Sequence, residues 1–226
     1  MLLRYIDELN FHNYIKIIVS DNNTKGIEKL KDFFEKYDSI YFYIQKENVG
    51  PEKNFINVIN LAKTQWVMLL GDDDYIQKEY LNLVMEYIQE DDLTVVIPNF
   101  YTVDEFGNNY GRKKNYRDPI TEDKRFPQGS LKLMFKAHQM SGLVFRKKNI
   151  IEKYLKNVKR NYYLQMFFVG ENLLRGKAIH ITRYPLANSV IKKKNFNYNI
   201  DNLIDHVLYN IEGLDIDKNE KLALEK

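Results

Sequence analysis

The stretch WVMLLGDDDYI, residues 66–76, decides the fold class of this chain. It begins as an apolar run, ends that run at Gly71, and then presents three consecutive carboxylates, Asp72, Asp73 and Asp74. A short apolar run bounded by a glycine is typical of a buried strand. Three adjacent like charges repel one another, so their position directly after a strand has to be explained. The elements predicted on either side of the stretch indicate where in the fold these carboxylates lie.

Predicted helices and strands alternate around this stretch. Apolar residues recur at helical spacing in some segments, and β-branched and aromatic residues cluster in others. The helices are predicted at residues 2–9, 27–37, 52–63 and 78–89, and the strands at 14–20, 39–45, 66–70 and 93–100. Such alternation indicates right-handed crossovers between parallel strands. We therefore predict an α/β fold with a Rossmann-like, mostly parallel sheet flanked by helices.

The second half of the chain has a weaker pattern. Residues 104–130 are polar, carry mixed charge and contain two prolines, which predicts a mobile loop. We expect one globular domain with three parts: residues 1–103 as the α/β half, the loop 104–130, and a helical region over 131–226 that ends in an amphipathic helix. Within this last part the predicted elements are helices at 131–138, from Asn149 and at 162–175, and strands at 141–146 and 178–182.

Composition excludes several classes of protein. The 226 residues contain no cysteine, which rules out disulfides and thiolate metal sites and suits a reducing cytoplasm. No apolar stretch reaches the roughly 20 residues that span a bilayer. A net charge of +3 is too small to predict nucleic-acid binding. Lys192–Lys194, beside Phe196 and Tyr198, leave open peripheral contact with the anionic inner face of a membrane, or a solvated surface.

Polar residues follow three successive predicted strands, at Ser20–Asn23, Lys46–Gly50 and Gly71–Asp74. Ligands of open α/β sheets bind at the carboxyl ends of the strands. Clustered carboxylates suit Mg²⁺ or Mn²⁺, which could bridge the protein and a diphosphate. Each feature alone also fits a turn, a cap or a solvated helix start. Their placement at successive strand ends favours a common ligand site.

Two segments carry a family resemblance. IKIIVSDNN, residues 15–23, and ENVGPEKNFINVINLAKTQWVMLLGDDDYI, residues 47–76, resemble the nucleotide-sugar half of a family 2 glycosyltransferase of the GT-A fold. The resemblance covers most of residues 14–150. It implies a nucleotide-base contact from Asp21, a DXD-type motif at Asp72–Asp74 with Asp74 as the direct ligand of Mn²⁺ or Mg²⁺, and further donor contacts from Asn48, Gly50, Lys53 and Asn54.

The resemblance implies inverting transfer of a sugar from a nucleoside diphosphate, with a UDP-sugar as the expected donor, to a saccharide or lipid-linked acceptor in bacterial surface polysaccharide synthesis. The family uses an acidic base on the acceptor side, but residues 161–165 carry Tyr and Gln there. Glu171 and His138 are the candidate bases. Glu171 could instead be a solvated helix residue, and His138 a hydrogen-bonded structural histidine, as we expect of His180.

Two alternatives remain at this stage. In the resembling family a strand precedes the first helix, whereas Met1 opens directly on the predicted helix LLRYIDEL. We therefore expect an N-terminally shortened form of a longer enzyme, or neighbouring strands that close the gap, with weaker nucleotide binding in either case. The first alternative is accordingly a truncated or catalytically silent nucleotide-sugar-binding protein. A basic interaction protein acting through Lys192–Lys194 is the other alternative, and it leaves the strand-end clusters without a role.

Overall fold

The computed structural model describes residues 15–38, 40–103, 123–189 and 201–225. The chain divides into two compact units, Met1–Gln65 and Trp66–Lys226. The predicted helix at residues 2–9 and the basic cluster Lys192–Lys194 lie outside the described residues. Predictions about them, and the predicted three-part organisation, stay predictions.

The first unit contains a two-stranded parallel sheet. Strands β1 (Ile17–Asp21) and β2 (Ile40–Ile44) pair in register from Ile17 opposite Ile40 to Asp21 opposite Ile44. A parallel pair needs a crossover, which the 3-10 turn Ile27–Leu30 and the short helix α1 (Lys31–Phe34) provide. Helix α2 (Pro51–Leu61) follows β2. The predicted alternation of strands and helices is confirmed in this unit.

The second unit is built on a five-stranded mixed sheet. Its order is β3, β6, β4, β7, β5, where the strands are β3 (Trp66–Met68), β4 (Leu93–Val103), β5 (Asp123–Phe126), β6 (Val144–Arg146) and β7 (Lys177–Ser189). Strands β4 and β7 pair parallel, while β6 lies antiparallel between β3 and β4, and β5 is antiparallel to β7. The α/β class is therefore confirmed, with a smaller share of parallel pairing than the alternating pattern predicted.

Strand β6 explains that difference. Val67 of β3 and Val95 of β4 both pair with Phe145, so β3 and β4 run in the same direction on either side of it. Phe145 is fully buried and packs against Phe168 with ring centroids 5.5 Å apart. Strand β6 thus lies between β3 and β4, which simple βαβ connections would have paired directly.

The helices of this unit surround one extended core. They are α3 (Lys78–Tyr87), α4 (Ile150–Asn157), α5 (Leu164–Leu173), α6 (Asp201–Glu212) and α7 (Lys218–Glu225), with a 3-10 segment at Leu131–His138. Every residue of α5 is buried, as expected for a helix that is apolar nearly all round. The core therefore centres on α5 and the inner strands. Within the described residues, no helix is both long and apolar enough to cross a membrane.

The predicted loop over residues 104–130 needs a correction at its C-terminal end. Residues 104–122 lie outside the described part of the chain, but Asp123–Phe126 form β5. Strand β5 is the edge of its sheet, and Arg125 ion-pairs with Glu90 at 2.6 Å and lies over the ring of Tyr87. An edge strand rich in charge gives no apolar alternation to detect, which is why the sequence pattern missed it.

Gly142, just before β6, is a position where only glycine fits without strain. Its φ is +77°, and a Cβ atom there would lie 2.6 Å from Leu186 Cδ2 and 3.1 Å from Pro98 Cγ. Gly142→Ala is expected to lower the free energy of unfolding by about 2–4 kcal/mol, from backbone strain plus overpacking. Gly129→Ala is the matched control, since Gly129 has φ +82° and no atom within 4 Å of its added Cβ. Urea unfolding of both variants measures the difference, and equal losses would contradict this account.

Candidate functional site

In the first unit, the carboxyl ends of β1 and β2 are joined by side-chain hydrogen bonds. Asn22 Nδ2 donates to Asn48 Oδ1 at 2.9 Å, and Val49 N–H donates to Asn22 Oδ1 at 2.9 Å. Asn48 Oδ1 also accepts the N–H of Gly50 at 3.0 Å. These bonds hold the predicted donor-binding segment around Asn48 against the end of β1. They make Asn48 part of the loop's own framework.

A second set of bonds fixes the start of α2. Ser20 Oγ donates to Asn54 Oδ1 at 2.7 Å, and the buried Gln45 donates its Nε2 to the same oxygen at 3.1 Å. Asn54 Nδ2 returns a bond to the Ser20 carbonyl at 3.2 Å. Asn54 therefore uses both ends of its amide inside the protein. Gln45 is a residue that the sequence analysis missed, because nothing in a strand-ending glutamine distinguishes it.

Asp21, Gly50 and Lys53 occupy different positions around this framework. Asp21 Oδ1 accepts the N–H of Thr24 at 2.7 Å, so one carboxylate oxygen shapes the turn after β1. Gly50 precedes α2 with φ 81° and ψ 165°, a conformation essentially confined to glycine. Lys53 lies exposed on the first turn of α2. Their roles toward a donor stay predictions.

In the second unit, the acidic triplet follows β3 as a tight turn. Asp74 N–H donates to Gly71 O at 3.4 Å, Asp72 is exposed, and Asp73 and Asp74 are half-buried. A Cβ atom on Gly71 would lie 3.2 Å from Asp74 Oδ2 and 3.3 Å from Asp73 Oδ1. Two carboxylate oxygens thus lie beside a glycine at the carboxyl end of a strand, with Ser141 Oγ 3.3 Å from the same Cβ position.

Ser141 is the residue that ties this turn to the rest of the unit. It is 3% exposed, accepts the N–H of Gly71 on its Oγ at 2.9 Å, and donates to Asp74 Oδ2 at 2.5 Å. The sequence analysis did not single out Ser141. The only sequence signal was a pair of small residues, Ser141 and Gly142, at the start of a predicted strand. Close packing of a serine beside a carboxylate turn 67 residues away has no signal in local sequence.

The acidic turn does not contain a preformed cage for a metal. Within the described residues, no group of three or more His, Asp or Glu side chains is arranged to hold an ion. The carboxylate chemistry of Asp73 and Asp74 is still the kind that suits Mg²⁺ or Mn²⁺. Such ions are commonly held by one or two carboxylates and complete their coordination with water and substrate phosphates.

The two candidate bases lie at opposite ends of the second unit's sheet. His138 packs its ring edge-on against Phe100, in the later part of β4, and precedes Ser141 by three residues. Glu171 is next to Asn172, whose side chain donates to Arg146 O and whose carbonyl accepts from Thr94 at the start of β4. Arg146 pairs with Trp66, the first residue of β3. The structure therefore brings His138, and not Glu171, to the end where the acidic turn lies.

Glu171 has a structural environment. Its side chain is 1% exposed, and Oε2 lies 2.6 Å from Lys153 Nζ and 3.2 Å from Arg175 Nη2. Its Oε1 is buried and has no hydrogen-bond partner among the residues that the structure describes. The two cations compensate for the hydration that the buried carboxylate has lost. This placement favours a role in stability over the proton-accepting role considered from the sequence.

Replacing Glu171 by Gln tests that role. The neutral amide leaves Lys153 and Arg175 without their countercharge, so the free energy of unfolding is expected to fall by about 1–3 kcal/mol, below the range for fully buried pairs because both cations are partly exposed. Glu90→Gln is the matched control, since it breaks the exposed pair with Arg125 and is expected to cost less than about 1 kcal/mol. Thermal and urea unfolding measure both. A loss of turnover in folded Glu171→Gln protein, without a loss of stability, would restore Glu171 as the base.

Comparison with known proteins places this arrangement in a class. Solved structures of the GT-A fold protein TarS from S. aureus superpose on the chain, with a TM-score of 0.71 at 12% identity for the complex with UDP-GlcNAc. That match covers 99% of this chain and 66% of the crystallised fragment, TarS 1–349. At this level of identity the similarity shows the fold alone. The fold is therefore GT-A.

A family assignment follows from the sequence match. The model of Glycosyl transferase family 2 matches residues 2–165, and the chain belongs to that family. GlyG of Streptococcus pneumoniae is 27% identical, over 48% of this chain and 36% of GlyG. The abequosyltransferase RfbV of Salmonella typhimurium is 30% identical, over 37% of this chain and 28% of RfbV. The chain thus matches about a third of the length of these curated relatives.

Proposed function

We propose that this protein is a metal-dependent, inverting glycosyltransferase that moves a sugar from a nucleoside diphosphate to a saccharide or lipid-linked acceptor, as part of bacterial surface polysaccharide synthesis. The observation that carries the proposal is the acidic turn at the carboxyl end of β3. There one carboxylate oxygen each of Asp73 and Asp74 lies close to Gly71, and Ser141, whose Oγ lies beside the same glycine, donates a hydrogen bond to Asp74. Family membership supports the reaction class.

The expected donor is a UDP-sugar. TarS, whose structures are similar to this chain, has been crystallised with UDP and with UDP-GlcNAc, and RfbV is named for abequosyl transfer. In the first unit, Asp21 is proposed to contact the nucleotide base. The hydrogen bonds of Asn48 and Asn54 within their own loops support a role for these two residues in holding the donor-binding segments in shape.

Asp74, with Asp73 beside it, would hold Mn²⁺ or Mg²⁺. The cation, when bound, would offset the negative charge that develops on the departing diphosphate. The chain's own contribution is to fix the carboxylates, through Ser141 and the Gly71 turn, before the donor arrives. A preorganised group costs no rearrangement when charge develops.

His138 is the proposed general base. Its Nδ1 lies 3.0 Å from Phe135 O. Because a carbonyl oxygen only accepts, Nδ1 must carry a proton, which leaves Nε2 of the neutral ring free of one. In the proposed reaction Nε2 takes the acceptor hydroxyl proton, and the acceptor oxygen forms the new bond to the anomeric carbon. The bond from that carbon to the diphosphate breaks, and its electron pair leaves with the nucleotide.

The proposal is tested by measuring release of UDP from UDP-sugars with and without Mn²⁺ and with a saccharide acceptor present. Metal-dependent, acceptor-stimulated release is the expected result. Tight binding of UDP with Mn²⁺ but no release from any donor would favour the catalytically silent nucleotide-sugar-binding protein instead. Absence of UDP binding under both conditions would refute both functions.

A further inference from the structure

Ser141 has a fixed hydrogen-bonding role at the acidic turn. Its hydroxyl has one proton and accepts the Gly71 N–H at 2.9 Å, so the bond to Asp74 Oδ2 at 2.5 Å is one in which the serine donates. A hydrogen bond to an ionised carboxylate is shorter and stronger than one between neutral groups. The Asp74 carboxylate is thereby held by an element other than its own turn.

The backbone around Ser141 leaves this hydroxyl little freedom. Gly142 N–H donates to Leu69 O at 2.7 Å, and Leu143 O accepts the N–H of Leu69 at 3.1 Å. Gly142 O accepts the buried Tyr80 hydroxyl at 2.7 Å. Burial raises the pKa of that phenol, so Tyr80 stays a neutral donor. The two residues that follow Ser141 are therefore anchored to Leu69, directly after β3, and to Tyr80 of α3.

We infer that Ser141 is a positioning residue for metal-dependent nucleotide binding, whose hydroxyl holds Asp74 in the orientation that binds Mn²⁺ on a diphosphate. This inference rests on the proposed function. The physical reason is that the Ser141 hydroxyl restrains Asp74 Oδ2 beside Gly71, where Asp73 Oδ1 also lies. Without the hydroxyl, the carboxylate loses this restraint, and more of its ordering is left to the moment when the cation binds. Partners that orient a metal ligand typically affect affinity by about 10- to 100-fold.

The experiment uses UDP and MnCl₂ as probes, with binding followed by titration calorimetry. Ser141→Ala is expected to reduce the Mn²⁺-dependent gain in UDP affinity by about 10-fold or more. Affinity for UDP in EDTA is expected to stay unchanged, which a general loss of structure would not produce. Should Ser141→Ala fail to fold, Ser141→Cys retains a weaker donor at the same place and is expected to give a smaller loss of the Mn²⁺-dependent gain.

Thr94→Val is the matched control. Thr94 is also buried in this unit and donates its hydroxyl at 2.8 Å to a carbonyl, that of Asn172, at the other end of the sheet. Its loss should lower the melting temperature to a similar degree without changing the effect of Mn²⁺. Equal Mn²⁺ dependence in Ser141→Ala, Thr94→Val and the wild type would overturn the inference.

Asp74→Asn separates this inference from the proposed function. If Asp74→Asn removes the Mn²⁺-dependent gain and Ser141→Ala does not, the metal site stands and the positioning role fails. If Asp74→Asn itself leaves the gain intact, the proposed metal role fails. In the double variant, Ser141→Ala is expected to add no further loss, because the group that it positions is already gone.

Discussion

Asp74→Asn is expected to abolish the Mn²⁺-dependent part of UDP binding, by on the order of 100-fold, while the fold is retained. The substitution keeps the shape of the side chain and an oxygen that can still accept the Ser141 hydrogen bond. It removes the negative charge that a hard cation requires. Residues that merely orient a metal ligand affect affinity by about 10- to 100-fold, so loss of the ligand itself should reach at least the upper end of that range.

The fold should survive because neutralising Asp74 relieves repulsion among three adjacent carboxylates. In EDTA the variant is therefore expected to melt at the wild-type temperature or above it. Asp91→Asn is the charge-matched control. Asp91 is exposed in the turn before β4, at the opposite end of the sheet, so the variant changes net charge equally without touching the acidic turn.

Titration calorimetry of UDP at fixed Mn²⁺ concentrations measures the effect. Asp91→Asn should behave as wild type at moderate salt, where screening removes long-range differences. A wild-type response to Mn²⁺ in Asp74→Asn would refute the assignment of Asp74. A similar loss in Asp91→Asn would show that net charge, and not a local ligand, governs the response.

The sequence predicted the parts of this fold that rest on local pattern. Strand β4 was detected because Leu93, Val95, Val96 and Ile97 form an apolar run, which the structure buries. Helix α2 was detected because Ile56 and Ile59 recur at helical spacing, and both are buried on one face. The acidic turn was detected because a glycine and three carboxylates break an apolar run. In each case one short segment contains all of the information.

The sequence could not predict features that depend on pairing across the chain. Strand β6 lies between β3 and β4, where Phe145 packs against Phe168 of a distant helix. The sequence of a three-residue strand contains no signal for whether it runs parallel or antiparallel to its neighbours. The charged edge strand β5 gives no periodic signal. Ser141 and Gln45 act through partners far away or on another element, so only the folded chain identifies them.

Glu171 shows how a local pattern can mislead about chemistry. Glu171 was considered as the base because it is the carboxylate nearest to the position where the resembling family has an acidic residue, and the alternative was a solvated helix residue. In the structure its partners are Lys153 and Arg175. Lys153 is distant in sequence, and a basic residue four positions after Glu171, such as Arg175, is equally compatible with a solvated helix surface. For His138 the structure instead supports the proposed role. The ring is exposed, and the hydrogen bond from Nδ1 to a backbone carbonyl fixes its tautomer.

His138→Gln is expected to lower the rate of sugar transfer by about 100-fold or more while UDP binding with Mn²⁺ stays near wild type. Glutamine keeps hydrogen-bonding capacity at the position but cannot accept a proton at neutral pH, and general base catalysis is typically worth about 10²- to 10⁴-fold. Because His138 is proposed to act on the acceptor hydroxyl and not on the nucleotide, the loss should appear in kcat and not in donor affinity.

The matched control is His206→Gln. The Nδ1 atom of His206 accepts the N–H of Tyr162 at 3.4 Å, so the neutral ring carries its proton on Nε2 and has the opposite tautomer to His138. Its replacement is expected to leave turnover within about threefold of wild type, because no proton transfer depends on it.

Initial rates of UDP release at saturating donor and acceptor, with Mn²⁺ present, compare the two variants and Glu171→Gln. If His138→Gln turns over normally and Glu171→Gln does not, the base is Glu171 despite its ion pairs. If both are fast, the proton acceptor is neither of them and the base assignment fails.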